Sequence, residues 1–293
     1  MKKFLLIALI AVIALTPLAV AACSRVSQQD MLTNPYVTEG SEVFSYKMYY
    51  GNEAVGTMTM TFTKLTKADV TLPHPASESK EKSFTSFTGT QLSMAYKLNN
   101  VFSTDEVNIY KDDEASSVVL YTDDYAPVYS YKKEKFNGVL TEKAVEYESK
   151  YAYTYLYENG APAKTAEVKV KNTTHFDNEM IYAIIRASGI SQTSYSFSFA
   201  SPNANLGALE TISISKMSDT TINIPLLATA EKADTDCALF RIAISNNYEP
   251  PFSINVAKDP VTLSESVKNV KKAILQINEE DCHYVLENIQ VIG

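Results

Sequence analysis

Tyrosine recurs at every second position in KYAYTYLYENG, residues 150–160, as Tyr151, Tyr153, Tyr155 and Tyr157, and Tyr147 extends the same parity. Residues two apart on a strand share a face and stand about 6.5–7 Å apart. The spacing therefore predicts a row of phenol rings, with Glu146, Glu148, Lys150, Ala152, Thr154, Leu156 and Glu158 wet on the other side. A phenol stacks through its ring and hydrogen-bonds through its hydroxyl. Three environments suit such a row: a dry core, the half-wet lining of a concave ligand face, or an exposed stripe for a partner. Five adjacent buried hydroxyls are costly to satisfy, and the five tyrosines are the candidate ligand face.

Other chemistry is sparse. His74, His175 and His283 share no ligand spacing, and no GxSxG, HExxH, phosphate loop or EF-hand loop is present. Asp112-Asp113-Glu114, Asp123-Asp124 and Glu279-Glu280-Asp281 fall at predicted turns, where carboxylates bond the backbone. Loosely held calcium is the alternative there, but no metal or cofactor is expected, and no enzyme. Cys237 and Cys282 lie on strand-like segments, so a disulfide and two separate thiols are both open readings. YKKEKF at 131–136 alternates in charge as a solvated strand face does.

Period-two alternation and hairpin turns run from Val43 onwards, with turns at Gly51, Asp123-Asp124, Asn137-Gly138 and Asn159-Gly160. TKADVTLPHPASESKEK reads as a surface loop, since Pro73 and Pro75 break a central strand. One helix is predicted over about 177–188, capped by Asp177, with Met180, Ile181, Ile184 and Ile185 as its apolar stripe. TINIPLLA reads as a strand, and Thr262 with Glu265 form a capping-box pair for a short helix in TLSESVKNVKK. The fold class expected is all-β and mainly antiparallel: a curved sheet, half-barrel or barrel-like shell with one clear helix.

The N-terminus has a basic start at Lys2 and Lys3, an apolar run from Phe4 to Leu15, and Val20-Ala21-Ala22-Cys23. That layout resembles the signal and lipobox of bacterial lipoproteins. The resemblance implies cleavage before Cys23 and acyl chains such as palmitate on its thiol. Two or three chains hold a protein to a bilayer durably, whereas one does not. Residues 1–22 are then the signal peptide, 23–41 the lipidated cysteine with a polar tether, and 42–293 a single β-rich domain. Loss of Lys2 and Lys3 takes the formal charge from −8 to −10, which argues against nucleic acid as a partner.

FSYKMYYGNEAVGTMTMTF, APVYSYKKEKFNGVL, FDNEMIYAIIRAS and FSINVAKDP through HYVLENI resemble in order and spacing an uncharacterised family of bacterial envelope proteins, a domain of unknown function. That resemblance implies a curved antiparallel sheet like the half-barrels that carry lipids or lipoproteins. The expected function is a lipid-anchored envelope protein, at the cell membrane or at an outer membrane where the host has one. It would hold an apolar or amphipathic ligand, a lipid or a glycan, on its concave face. The alternative is a structural or adhesive module contacting glycan or protein.

Overall fold

The computed structural model describes residues 39–98, 102–103, 108–109, 113–136, 138–171, 173–188, 195–228, 234–245, 250–280 and 282–293. The signal, Cys23 and nearly all of the tether lie outside the described residues. Alternation becomes strand along most of the rest. The first half of the chain supplies β1 (Ser41–Tyr50), β2 (Glu53–Pro73), β3 (Glu81–Leu98), β4 (Phe102–Ser103), β5 (Asn108–Ile109), β6 (Glu114–Tyr121), β7 (Pro127–Phe136), β8 (Val139–Tyr147), β9 (Tyr151–Glu158) and β10 (Ala161–Lys169). A 3-10 turn at Asn178–Met180 runs into helix α1 (Ile181–Ala187). The second half supplies β11 (Tyr195–Asn203), β12 (Ala208–Asn223), the short helix α2 (Pro225–Ala228), β13 (Asp234–Ile244), β14 (Phe252–Ala257), β15 (Ile274–Glu279) and β16 (Cys282–Ile292).

Fourteen strands form one antiparallel sheet in the order β10-β9-β8-β7-β6-β3-β2-β1-β16-β15-β14-β13-β12-β11, while β4 and β5 pair separately. The first and last strands thus pair in the middle, and the free edges, β10 and β11, are sequence neighbours. The sheet curls into a nearly closed barrel whose edges meet without a ladder between them. At this seam Lys164 on β10 donates to the carbonyl of Asn205 at 3.1 Å. Gly207 packs there with φ +62°, and a Cβ on it would lie 2.8 Å from the Lys164 side chain. Residues leading into α1 cover the β11 edge: Phe176 donates to Ala200 O (3.1 Å) and Ala200 donates to Thr174 O (3.0 Å). The β10 edge carries Pro162, Lys164 and Lys169, residue types that discourage pairing with another strand.

Helix α1 lies inside. Every one of its residues is buried, in the main core with Phe44, Phe62, Ile214, Phe240 and Ile254 from the surrounding strands. Asp177 caps the helical segment as the sequence predicts, accepting from Glu179 N at 2.9 Å. Arg186 is fully buried at its other end. Its guanidinium lies 4.9 Å from the Phe44 ring centroid and 4.6 Å from that of Phe62. It donates to Glu42 Oε2 at 2.6 Å and to the carbonyls of Lys271 and Lys272 at 2.9 and 3.1 Å. Lys272 in turn donates to Ser188 O at 2.6 Å, and burial, helped by the Arg186 charge, lowers its ammonium pKa to about 8. The plug is therefore fastened to β1 and to the β14–β15 connection at one point.

Three local expectations are corrected, and the open reading of the cysteines is decided. TKADVTLPHPASESKEK is mostly strand, with only residues 74–80 turning. Val70 and Leu72 find a second apolar cluster on the outer face of the barrel, and Pro73 closes its strand rather than interrupting it. TINIPLLA ends as helix because Pro225 opens α2. TLSESVKNVKK is not helical: Val261 bridges Val270, Ser264 bridges Val267, and Thr262 Oγ1 accepts from Asn269 N at 3.1 Å. Burial of its two valines, Val267 and Val270, and of Val261 before them outweighs the cap signal. Cys237 and Cys282 are not bonded to each other: they lie on β13 and β16, which β14 and β15 separate. Burial, with Asp236 nearby, pushes the Cys237 thiol up to about 12.

Removing one member of a buried ion pair costs about 3–5 kcal/mol because its partner stays charged and dry. Arg186→Met is expected to lower unfolding stability by about that much in urea titration. Glu42→Gln added to it is expected to recover part of the loss.

Candidate functional site

Strand register decides what faces inward. Ser117 on β6 lies opposite Lys132 on β7, which lies opposite Lys143 on β8, and all three share the inner face with Met94 and Leu92. YKKEKF is thus not simply a solvated face: Lys132 and Glu134 point into the barrel. They form a charged chain along the wall, Lys143 to Glu134 at 2.8 Å, Glu134 to Lys132 at 3.0 Å, and Lys132 to Glu179 at 3.7 Å. Glu179, foremost, and Glu134 hold the Lys132 ammonium above the usual lysine range despite its desolvation. Burial opposes ionisation of Glu134, but Lys132 and Lys143 outweigh it and keep its carboxyl low.

Beside this wall is a cavity of about 500 Å³. Met48, Tyr96, Leu98, Ala115, Phe136 and Tyr284 give it apolar and aromatic surface. Its polar lining includes Asp113, Ser117, Lys132, Glu134, Glu179 and Glu279. The Tyr96 and Tyr284 rings meet edge to face at 6.1 Å, and Tyr284 OH donates to Glu279 Oε2 at 3.1 Å. Burial, with Glu279 and Glu179 adding to it, raises the Tyr96 phenol well above its ordinary value. Ser117 is 5 % exposed and its hydroxyl has no hydrogen-bond partner among the described residues. Volume and lining match those of small-molecule sites, apolar walls with a few polar groups. The cavity lies toward the rim where β1 turns into β2, away from the rim where Ser41 pairs with Ile292.

The tyrosine row is elsewhere. Tyr155 lies opposite Ala144 and Tyr153 opposite Glu146, and Ala144 continues to Tyr131 and Val118 on the outer face. Tyr151, Tyr153, Tyr155 and Tyr157 are half-buried there, while Ala152, Thr154 and Leu156 point inward and are buried. The two faces are thus reversed from the sequence expectation. The β2–β3 hairpin curls over this outer face through bulges near Ala68. His74 at its tip, itself buried, places Nε2 2.7 Å from Glu146 Oε1, and its Nδ1 accepts from Ala76 N and Ser77 N at 3.1 Å each. Its ring contacts Tyr155 at 5.0 Å and Tyr129 at 6.0 Å, and Lys80 lies over Tyr157 at 5.4 Å.

Tyr147 belongs to neither the row nor its face. It lies opposite Ala152 on the inner side, because the 148–150 turn resets the parity. Its hydroxyl donates to Asp177 Oδ2 at 2.7 Å, and Ser130 Oγ donates to the same oxygen. The sequence marks several cavity residues for other reasons, Asp113, Glu114 and Glu279 as turn carboxylates and Lys132 and Glu134 within a solvated strand face. The available signal was a pair of charges, Lys132 and Glu134, on the parity that also carries Ser130, together with Glu179 inside an apolar helical stretch.

No protein-family model matches the chain, and no curated protein does. Among solved structures, the crystal structure of a β-barrel-like protein of the domain of unknown function DUF1849 from Brucella abortus superposes with a TM-score of 0.50. Identity is 10%, over 88% of this chain and 100% of that one. The likeness is one of fold: a β-barrel-like shell.

Asp177 carries a pH signature. Burial raises its carboxyl to about 6; the Ser130 and Tyr147 hydrogen bonds oppose the rise and Glu179 adds to it. The folded state therefore holds this proton more tightly than the unfolded chain. Its contribution to stability is complete below about pH 4 and is lost as pH rises through about 6. Asp177→Asn keeps a capping side chain without the charge. Denaturant titrations should show a flatter stability slope between about pH 4 and 6, and a gain near pH 7 of up to about 3 kcal/mol, at about 1.4 kcal/mol per pH unit.

Proposed function

We propose that this chain is a cell-envelope lipoprotein, anchored through acyl chains on Cys23, that holds an apolar or amphipathic ligand inside its barrel and is not an enzyme. The cavity beside Ser117 and Tyr96 carries the reading, since a shell packed only for stability gains nothing from such a void. The inner wall, with Leu156 and Ile242 buried on it, replaces the tyrosine row as the expected ligand surface. The mouth lies toward the rim opposite Ser41, where a tether from the membrane would enter. A ligand would thus arrive from the aqueous side rather than from the bilayer beneath.

A second reading rests on the outer tyrosines. Four half-buried rings on β9, beside a charged edge, suit contact with a glycan or protein partner.

Native mass spectrometry of protein extracted from its own cells should show a retained small molecule. Ser117→Leu, which narrows the cavity, should lose it, while Tyr151→Ala with Tyr153→Ala should not. The opposite pattern would favour the outer-face reading. For the anchor, Cys23→Ala should abolish metabolic labelling with palmitate and release the protein from membrane fractions.

A further inference from the structure

We infer that the cavity selects an organic cation, a protonated amine or quaternary ammonium on an apolar body; this rests on the cavity being a ligand site. The charge of the lining is the first ground. Among the described residues, Asp113, Glu114, Glu134, Glu179 and Glu279 face it against one ammonium, that of Lys132. Lys143 and Lys133 reach Glu134 and Glu114 from beside the lining at 2.8 and 3.6 Å and leave the carboxylates in excess. Lys132 is itself engaged with Glu134 at 3.0 Å and Glu179 at 3.7 Å on the β7 wall, so its charge is compensated locally. A cleft lined by one sign of charge within low-dielectric walls focuses field and concentrates ligands of the opposite sign.

The second ground is aromatic. Tyr96 and Tyr284 cross edge to face and Phe136 stands at the rim, giving ring faces that attract a desolvated cation through their quadrupoles. Tyr284 also orients the Glu279 carboxylate by donating to it, so ring and anion converge at the β15–β16 end of the cavity. The third ground is independent of charge. The Ser117 hydroxyl, nine-tenths or more buried and unpartnered among the described residues, lines the same space. Leaving a buried hydroxyl unmet costs about 1–3 kcal/mol, and a polar ligand atom would meet it. Met48, Leu98 and Ala115 supply the surface for the apolar body.

The test uses the full-length protein in lipid nanodiscs, with empty nanodiscs subtracted. Octyltrimethylammonium, octyl glucoside and octyl sulfate share a tail and differ in head-group charge, and calorimetric titration compares them below their micelle thresholds. The cation is expected to bind about tenfold tighter than the neutral glucoside, with the sulfate weakest. Glu279→Gln combined with Asp113→Asn should remove most of that preference while the glucoside affinity stays. Equal binding of all three, or a lead for the sulfate, would overturn the cation assignment and leave the cavity as a general amphiphile site. A cation preference that survives the double substitution would also overturn it. If none of the three binds, the assignment falls together with the ligand site beneath it. The wild-type comparison stands by itself if the double variant does not fold.

Discussion

A curled sheet of fourteen strands encloses more volume than its own inward side chains can fill, and the interior must be closed by something else. Here the connection between the two edge strands supplies the filling. Helix α1 is buried on all sides and apolar except at Arg186 and the Tyr182 hydroxyl. It is fastened by one charged residue, Arg186, held between two phenylalanine rings and against Glu42 on the first strand. Such a pair contributes little net energy compared with an apolar substitute, but breaking it on one side is costly. It therefore specifies where the plug sits more than how strongly it binds.

That position determines the rest of the interior. On the side where α1 meets β11 to β14, the barrel is packed with isoleucine, valine and phenylalanine. On the side of β6 to β8, the helix entry brings Asp177 and Glu179 against Ser130, Lys132 and Lys143. The charged chain lies along this second side, and the cavity runs from it to Tyr96 on β3 and to Glu279 and Tyr284 on β15 and β16. One wall is dry and apolar and the other polar and partly hollow, which is the division an amphipathic guest requires.

The topology also explains why the seam tolerates having no ladder. Pairing β1 with β16 brings the beginning and end of the described chain together at the middle of the sheet. The free edges fall on β10 and β11, joined by the very segment that folds inward. The entering residues 174–176 satisfy part of the β11 edge, and lysines and a proline guard β10. A long β2–β3 hairpin, bent by bulges, wraps the outer wall and covers the tyrosines of β9, with His74 as its clasp.

Strand alternation, the Asn159-Gly160 turn and the capped helix at Asp177 were legible in the sequence because each depends on neighbours a few residues away. The all-β shell with one helix followed from them, and the superposition on a β-barrel-like protein agrees with that class. Face assignment was not legible. The alternation predicts Ala152, Thr154 and Leu156 wet and makes Tyr151 to Tyr157 the candidate concave face, and the structure places them the other way round. Period two says only that two faces differ. Which one is interior depends on the partner strands, on a three-residue turn that moved Tyr147 to the opposite side, and on a hairpin arriving from seventy or more residues earlier. The same holds for Lys132 and Glu134, whose alternation looked like a solvated strand until a helix carboxylate met them from within. The sequence by itself determined the local elements and their kind, since those are set by backbone preference and short-range pattern. Only the tertiary structure decided which side of each element is inside, because burial is a property of what long-range closure brings against a face.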